Sequence, residues 1–102
     1  MTSQINSYRE QIDYIDAQIL FYLRERIILS NKIGEIKRIN KINILDENRE
    51  KEIINKIIEQ NNNMKNKSIT NPFKMDDRYI HLLWNTILDM SKSVQKKKEN
   101  ES

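Results

Sequence analysis

The sequence is short of the residues that build disulfides, metal centres and tight turns. It has no cysteine, so neither a disulfide framework nor a thiolate metal site is available. Its one histidine, His81, cannot build a metal site alone. One glycine and one proline leave few places for hairpins, and this scarcity favours long helices joined by short polar loops. We therefore predict an all-helical fold.

The sequence also lacks any apolar run that approaches the length of a membrane span, and its N-terminus has no signal-peptide pattern. We therefore expect a cytoplasmic protein that does not bind membranes. The net charge is +3, and much of it comes from three consecutive lysines at 96–98. A chain of 102 residues corresponds to one domain. We place that domain at residues 1–95 and predict a polar, disordered tail at residues 96–102.

Apolar residues at every third or fourth position predict three helices, the first of them very long. The longest pattern runs from about residue 4 to residue 39 through Ile5, Tyr8, Ile12, Ile15, Ile19, Leu23 and Ile33. A second helix is expected after the N-cap Asp46, and a third after Asp76 or Asp77. Their apolar sides carry Ile53, Ile54, Ile57 and Ile58 in the second helix and Ile80, Leu83, Trp84, Ile87 and Leu88 in the third. Residues 64–75 are mostly polar and are predicted to form a connector.

The length of the first helix predicts a homodimer. About 35 residues form a helix roughly 52 Å long, whereas a compact monomer of this size has a radius of gyration of about 13 Å. The projecting part would expose its apolar stripe to water, and a partner normally covers such a stripe. We therefore expect an intertwined helical homodimer packed along the long helices.

Polar residues interrupt the apolar stripes and predict a buried site for an anionic small molecule. Arg26 and Lys37 share the core-facing side of the first helix, about 16 Å apart along its axis. A buried charge without a partner is very costly, so such groups should meet each other or a ligand. The other two helices extend their stripes with polar residues in the same way, at Arg49, Glu50, Ser91 and Gln95. Long cationic side chains also snorkel from the edge of a stripe into water, so the pattern alone leaves a purely structural role open.

Arg9 adds a geometric clue about the number of chains in the site. It precedes Arg26 by seventeen residues, roughly 25 Å along the same helix, which is too far to share a pocket within one chain. In an antiparallel dimer, the N-terminal part of one long helix runs beside the middle of its partner, so Arg9 could enter the partner's site. The alternative is a surface arginine paired with Asp13, four residues further on.

Several segments of the sequence form an ordered set of motifs. The first helix contributes Tyr8-Arg9-Glu10-Gln11-Ile12-Asp13-Tyr14-Ile15-Asp16, Leu23-Arg24-Glu25-Arg26 and Ile33-Gly34-Glu35-Ile36-Lys37. The other contributions are Asp46-Glu47-Asn48-Arg49-Glu50 and the spacing between Ser91 and Gln95. Together these motifs resemble the all-helical, AroQ-type chorismate mutases. The resemblance covers roughly residues 5–95, and the ordered set with these spacings is specific.

The resemblance implies an isomerase that rearranges chorismate to prephenate in phenylalanine and tyrosine biosynthesis. It implies that Lys37 and Gln95 hydrogen-bond the ether oxygen of the breaking C–O bond, while Arg26 and Lys37 bind the substrate carboxylates. The rearrangement is intramolecular, so the resemblance implies neither a metal nor a cofactor. It further implies a homodimer with two equivalent sites.

The resemblance also implies the remaining substrate-binding residues. Arg9 of the partner chain would assist in binding the carboxylates. Glu50 and the backbone around Asp46 would hold the ring hydroxyl, and Arg49 and Ser91 would complete the polar wall. We expect no nucleic-acid partner.

Two alternatives stay open at this point. An isochorismate pyruvate lyase on the same fold would grip a similar dianion, and Arg26 and Lys37 do not separate the two activities, although Glu50 beside a ring hydroxyl favours the mutase. A protein of another class, a basic helical nucleic-acid-binding protein or a coiled-coil interaction protein, would fit the positive charge. No exposed stripe of basic residues with aromatics supports nucleic-acid binding.

Overall fold

The computed structural model describes residues 2–63 and 74–100, with side chains described as far as residue 96. The described residues form three helices and no strand: α1 spans Thr2–Ile39, α2 spans Glu47–Asn63 and α3 spans Asp77–Asn100. The predicted all-helical fold is therefore confirmed. Of the predicted connector, residues 64–73 lie outside the described part of the chain. Helix α3 includes residues 96–100 of the predicted tail, and the last two residues are not described.

Helix α1 projects beyond the rest of the chain, as its length predicts. The chain extends 57 Å along its longest axis, and its radius of gyration is 17.6 Å, compared with about 13 Å for a compact chain of this size. About half of the surface of Ile5, Ile12, Ile15 and Ile19 remains exposed, so the apolar stripe of the N-terminal half lacks a cover within one chain. None of the helices in the described residues is long and apolar enough to span a membrane.

Helix α3 is the element on which the fold is built, because it packs against both α1 and α2. Its residues Ile80, Ile87 and Leu88 are the buried apolar core of the described chain. Burying an aliphatic side chain fully contributes roughly 1.5–3 kcal/mol, so three such residues stabilise a single chain only modestly. The small core and the exposed apolar stripe on α1 both lower the stability of the isolated chain.

The two predicted N-caps are observed, and they fix where α2 and α3 begin. Asp46 Oδ1 accepts a hydrogen bond from the backbone N–H of Arg49 at 3.0 Å, and Asp76 Oδ1 accepts one from the backbone N–H of Arg78 at 2.8 Å. Such caps satisfy backbone donors that have no partner within the helix. Near its C-terminal end, α2 is tied to the start of α3 by Asn61, whose Nδ2 donates to the Met75 carbonyl oxygen at 2.8 Å.

The C-terminal end of α1 is a tight reversal of the chain with an unusual residue at its left-handed position. The Ile42 N–H donates to the Lys37 carbonyl oxygen at 2.8 Å, and the Lys41 N–H donates to the Arg38 carbonyl oxygen at 3.4 Å. This pair of bonds is the Schellman motif, whose left-handed residue is usually glycine. Here that residue is Lys41, with a φ angle of 56°. The reversal places the carbonyl oxygen of Ile44 2.8 Å from Lys37 Nζ.

Replacing Lys41 by glycine should stabilise the protein. A side chain in the left-handed region costs about 1 kcal/mol relative to glycine, and the greater freedom of glycine in the unfolded chain offsets part of that gain. We expect Lys41→Gly to raise the free energy of unfolding by roughly 0.5 kcal/mol or more, measured by urea denaturation at fixed protein concentration. Lys41→Ala, which removes the charge and keeps the strain, is the matched control. A Lys41→Gly variant no more stable than Lys41→Ala would contradict the assignment of strain.

Candidate functional site

A cavity of about 410 Å³ lies where the C-terminal half of α1, the start of α2 and the C-terminal half of α3 meet. Seven residues that the sequence predicts for the site line this one cavity: Arg26, Lys37, Asp46, Arg49, Glu50, Ser91 and Gln95. Five aliphatic side chains complete its wall: Leu29, Ile33, Ile44, Ile53 and Leu88. The cavity has the size and the mixed lining of a small-molecule site, with polar groups converging from several elements on an apolar surface.

Arg26 is held against α3 by a chain of hydroxyl groups. Its guanidinium donates a short hydrogen bond to Ser91 Oγ, and the buried Ser30 donates to the same Ser91 oxygen at 2.9 Å. Partial burial, together with the nearby guanidinium of Arg49, lowers the pKa of Arg26 from its usual value. A guanidinium nevertheless stays protonated in proteins. Arg26 is therefore a fixed positive charge in a partly desolvated position, where it attracts an anion more strongly than in water.

Lys37 is anchored at the opposite end of the cavity. Its Nζ donates to the carbonyl oxygen of Ile44 at 2.8 Å, across the chain reversal that follows α1. An ammonium group has three donors, so this anchor leaves hydrogens that can bind a ligand. The rigid turn therefore sets the position of a cation whose side chain is otherwise flexible.

Gln95 is the most unusual polar residue of the site, because it is only 7 % exposed and its Oε1 atom has no hydrogen-bond partner in the described part of the chain. It lies against Gly34 of α1. A Cβ atom built on Gly34 would approach the Gln95 Cγ to 2.9 Å and its Cα to 3.0 Å. The only glycine in the sequence therefore allows α3 to come close enough to α1 to bury this amide. A buried polar atom without a partner is costly, and such an atom in a cavity is typical of a ligand-binding site.

The acidic residues of the cavity have different surroundings. The Asp46 carboxylate caps α2 through the Arg49 N–H. Glu50 Oε2 lies 3.2 Å from Lys92 Nζ of α3, in a contact in which both side chains are about one quarter exposed. The Arg49 guanidinium is more open to solvent and pairs with Glu52 at 2.8 Å. Glu50 is therefore the carboxylate best placed to meet a ligand.

Two residues that line the cavity, Ser30 and Lys92, were not predicted as site residues from the sequence. Ser30 lies on the same helical side as Arg26, and that periodicity was the available signal, but a serine in a stripe does not by itself indicate a ligand. Lys92 follows Ser91 and lies off the stripe of α3, so helical periodicity contained no signal for it.

Arg9 is exposed on α1 and does not line the cavity within one chain. Its predicted role depends on a second chain and stays a prediction.

The helical fold and the cation-lined cavity define an all-helical protein with a cavity suited to a small anionic molecule. Comparison with protein families identifies it further, because the model of the family described as chorismate mutase type II matches residues 8–96. The chain belongs to this family, and the resemblance stated from its motifs is confirmed. The membership supports chorismate mutase activity in general, which is the activity of an isomerase. No curated protein and no solved structure matches the chain.

A Gly34→Ala substitution should destabilise the protein although alanine is the better helix former. Alanine would gain about 1 kcal/mol of helix propensity, but its methyl group would collide with both the side chain and the backbone of Gln95. Overpacking of this kind typically costs roughly 1–3 kcal/mol. We therefore expect a lower melting temperature for Gly34→Ala at fixed protein concentration.

The double variant Gly34→Ala, Gln95→Ala separates the two contacts. The Gln95→Ala substitution removes the Cγ atom but leaves the backbone Cα atom in place. We therefore expect Gly34→Ala to lower the melting temperature of the Gln95→Ala protein, but by less than it lowers that of the wild-type protein. A melting temperature above that of the wild-type protein for Gly34→Ala would contradict the close approach of the two helices.

Proposed function

We propose that the protein converts chorismate to prephenate by holding the substrate in its reactive shape within this cavity. The observation that carries the proposal is the convergence of Arg26, Lys37 and the buried amide of Gln95 on one cavity in a member of the chorismate mutase type II family. Chorismate has two carboxylates, a ring hydroxyl and an ether oxygen. Each of these groups has a complementary side chain in the wall.

The charge of the lining supports this substrate class. Four cationic side chains and two carboxylates line the cavity, which leaves an excess of two positive charges for a dianion. We assign the carboxylates of the substrate to Arg26 and Lys37, because a guanidinium fork and a partly buried ammonium bind carboxylates well. We assign the ring hydroxyl to Glu50 and the Asp46 backbone, and the outer polar wall to Arg49 and Ser91.

The proposed mechanism needs no group transferred from the protein. Within one substrate molecule the ether C–O bond breaks while a C–C bond forms, so the reaction is an isomerisation with no leaving group. The protein accelerates the reaction in two ways. It selects the compact conformer, in which the two carbon atoms that form the new bond lie close together, and it stabilises the negative charge that develops on the ether oxygen. Lys37 Nζ and the Gln95 amide N–H₂ are the donors we assign to that oxygen. The Ile44 carbonyl holds Lys37 Nζ before the substrate arrives, which keeps the cost of reorganisation low.

Lys37→Ala should lower kcat/KM for loss of chorismate by at least about a hundredfold, because it removes a donor to the ether oxygen in a desolvated site. The variant should still fold, since Lys37 lies near the end of α1 and bonds only to the following turn among the contacts seen. Lys32→Ala, an exposed lysine of the same helix outside the cavity, is the matched control and should retain wild-type activity. A folded, fully active Lys37→Ala would contradict the proposed role of Lys37.

We further propose that the active form is a homodimer in which each site takes Arg9 from the partner chain. Two features of one chain support this. The apolar stripe of α1 is exposed, and a groove of about 1020 Å³ runs between α1 and α3 with an almost wholly apolar lining that includes Ile15, Ile19, Leu83 and Ile87. A second copy of the long helix would cover both and would bring its own N-terminal half beside the cavity.

Mixing two inactive variants tests the shared site. Arg9→Ala and Lys37→Ala chains should each be strongly impaired, because each homodimer lacks one cation in both of its sites. After the two are unfolded together and refolded, half of the dimers are mixed and contain one intact site. Roughly a quarter of wild-type activity should therefore return. If each chain builds its site from its own residues only, the mixture stays inactive, and that result would refute the shared site.

Isochorismate pyruvate lyase is the competing activity, because it uses a similar dianion and similar cations. Incubating the purified protein separately with chorismate and with isochorismate distinguishes the two. We expect prephenate from chorismate. Release of pyruvate and salicylate from isochorismate, with no prephenate from chorismate, would replace the mutase assignment by the lyase.

A further inference from the structure

Lys92 is a cation of the cavity that the proposed function leaves without a role. It lies on α3 between Ser91 and Gln95, and its Nζ is 3.2 Å from Glu50 Oε2 on α2 and 3.5 Å from Asp89 Oδ1 on its own helix. Asp89 is 78 % exposed, so water screens that second contact. The Lys92–Glu50 pair is the partly buried one, and it crosses from α3 to α2 at the cavity wall.

The surroundings of Lys92 favour its charged form. The hydrogen bond to Glu50 raises the pKa of Lys92 above its ordinary value, and the charges of Glu50 and Asp89 add to that effect against the opposing effect of burial. Lys92 therefore remains a cation through neutral pH.

Without Lys92, Glu50 would be a poor neighbour for a dianion. The groups that share the cavity with it are the cations Arg26 and Lys37 of α1, Arg49 of its own helix, Lys92 of α3 and the capping carboxylate of Asp46. Arg49 is partly engaged by Glu52 on the solvent side, and Arg26 is hydrogen-bonded to Ser91. Lys92 is therefore the cation that offsets the Glu50 charge directly, at 3.2 Å.

We propose that Lys92 is a positioning residue, which acts through Glu50 to hold that carboxylate in place as the acceptor for a substrate hydroxyl group. The contact uses Oε2, which leaves Oε1 of Glu50 to accept a hydrogen bond from the ligand. The ion pair also cancels the repulsion between Glu50 and the substrate carboxylates. The site thereby selects a dianion that presents a hydroxyl donor at this wall. This inference rests on the proposed function.

Steady-state kinetics with chorismate at neutral pH test the proposal. Lys92→Met keeps most of the length of the side chain and removes its charge. We expect its KM to rise about tenfold and its kcat to change less than about threefold, because the Glu50 contact is made in the ground state and the transition state alike.

Three further variants separate positioning from a merely structural role. Lys92→Arg should restore KM to near its wild-type value, because it keeps the positive charge. In a Glu50→Gln background, Lys92→Met should add less than about a twofold change, because the two residues act as one unit. Lys51→Met removes an exposed lysine of α2 outside the cavity and should leave both parameters unchanged.

The outcomes distinguish this proposal from the proposed function. If the wild-type protein does not turn over chorismate, both fail. If it does, two results would refute the positioning role alone. One is a Lys92→Met variant with the wild-type KM, and the other is a Lys92→Met substitution that raises KM as much in the Glu50→Gln protein as in the wild-type protein.

Discussion

The close approach of α1 and α3 at Gly34 is the contact on which the arrangement of the cavity depends. With no side chain at this position, the backbone of Gln95 comes within 3.0 Å of the place that a Cβ atom would occupy. That distance fixes the register between the two helices. One turn before Gln95 on α3 lies Ser91, and one turn before Gly34 on α1 lies Ser30, and the two hydroxyl groups meet at 2.9 Å. The same register brings Arg26 to Ser91, so a packing contact without charge determines where the charges lie.

Stability and function draw on the same feature of the chain, the excess length of α1. A helix of 38 residues cannot bury its apolar stripe on a single chain whose described part has three buried apolar core residues. The exposed stripe disfavours the isolated chain, and the same extra length keeps Arg9 away from the cavity of its own chain. In the proposed homodimer, assembly and substrate binding would be coupled, because the exposed stripe and Arg9 belong to one helix.

The sequence predicted the helices and most of the cavity lining, because both depend on helical periodicity. Arg26, Lys37, Ser91 and Gln95 interrupt or extend apolar stripes, and a stripe defines which side chains face the interior. Lys92 was not predicted, because its contribution depends on the separation between α2 and α3, which no periodicity encodes. The importance of Gly34 was missed for a similar reason. Sequence patterns show that a glycine weakens a helix, but only the packed structure shows that Gln95 fills the space. The strained Lys41 turn was also beyond prediction, since glycine is the usual residue there.

The contacts of Asn61 make the arrangement of the helices less sensitive to the length of the segment between α2 and α3. Its amide contacts both backbone groups of Met75, donating to the carbonyl oxygen at 2.8 Å and accepting from the N–H at 3.3 Å. This two-point clasp joins the end of α2 to the approach to α3 and does not involve any cavity residue. The arrangement of the helices therefore depends less on the number of residues between Asn61 and Met75. A change in that number should leave the residues that line the cavity in register.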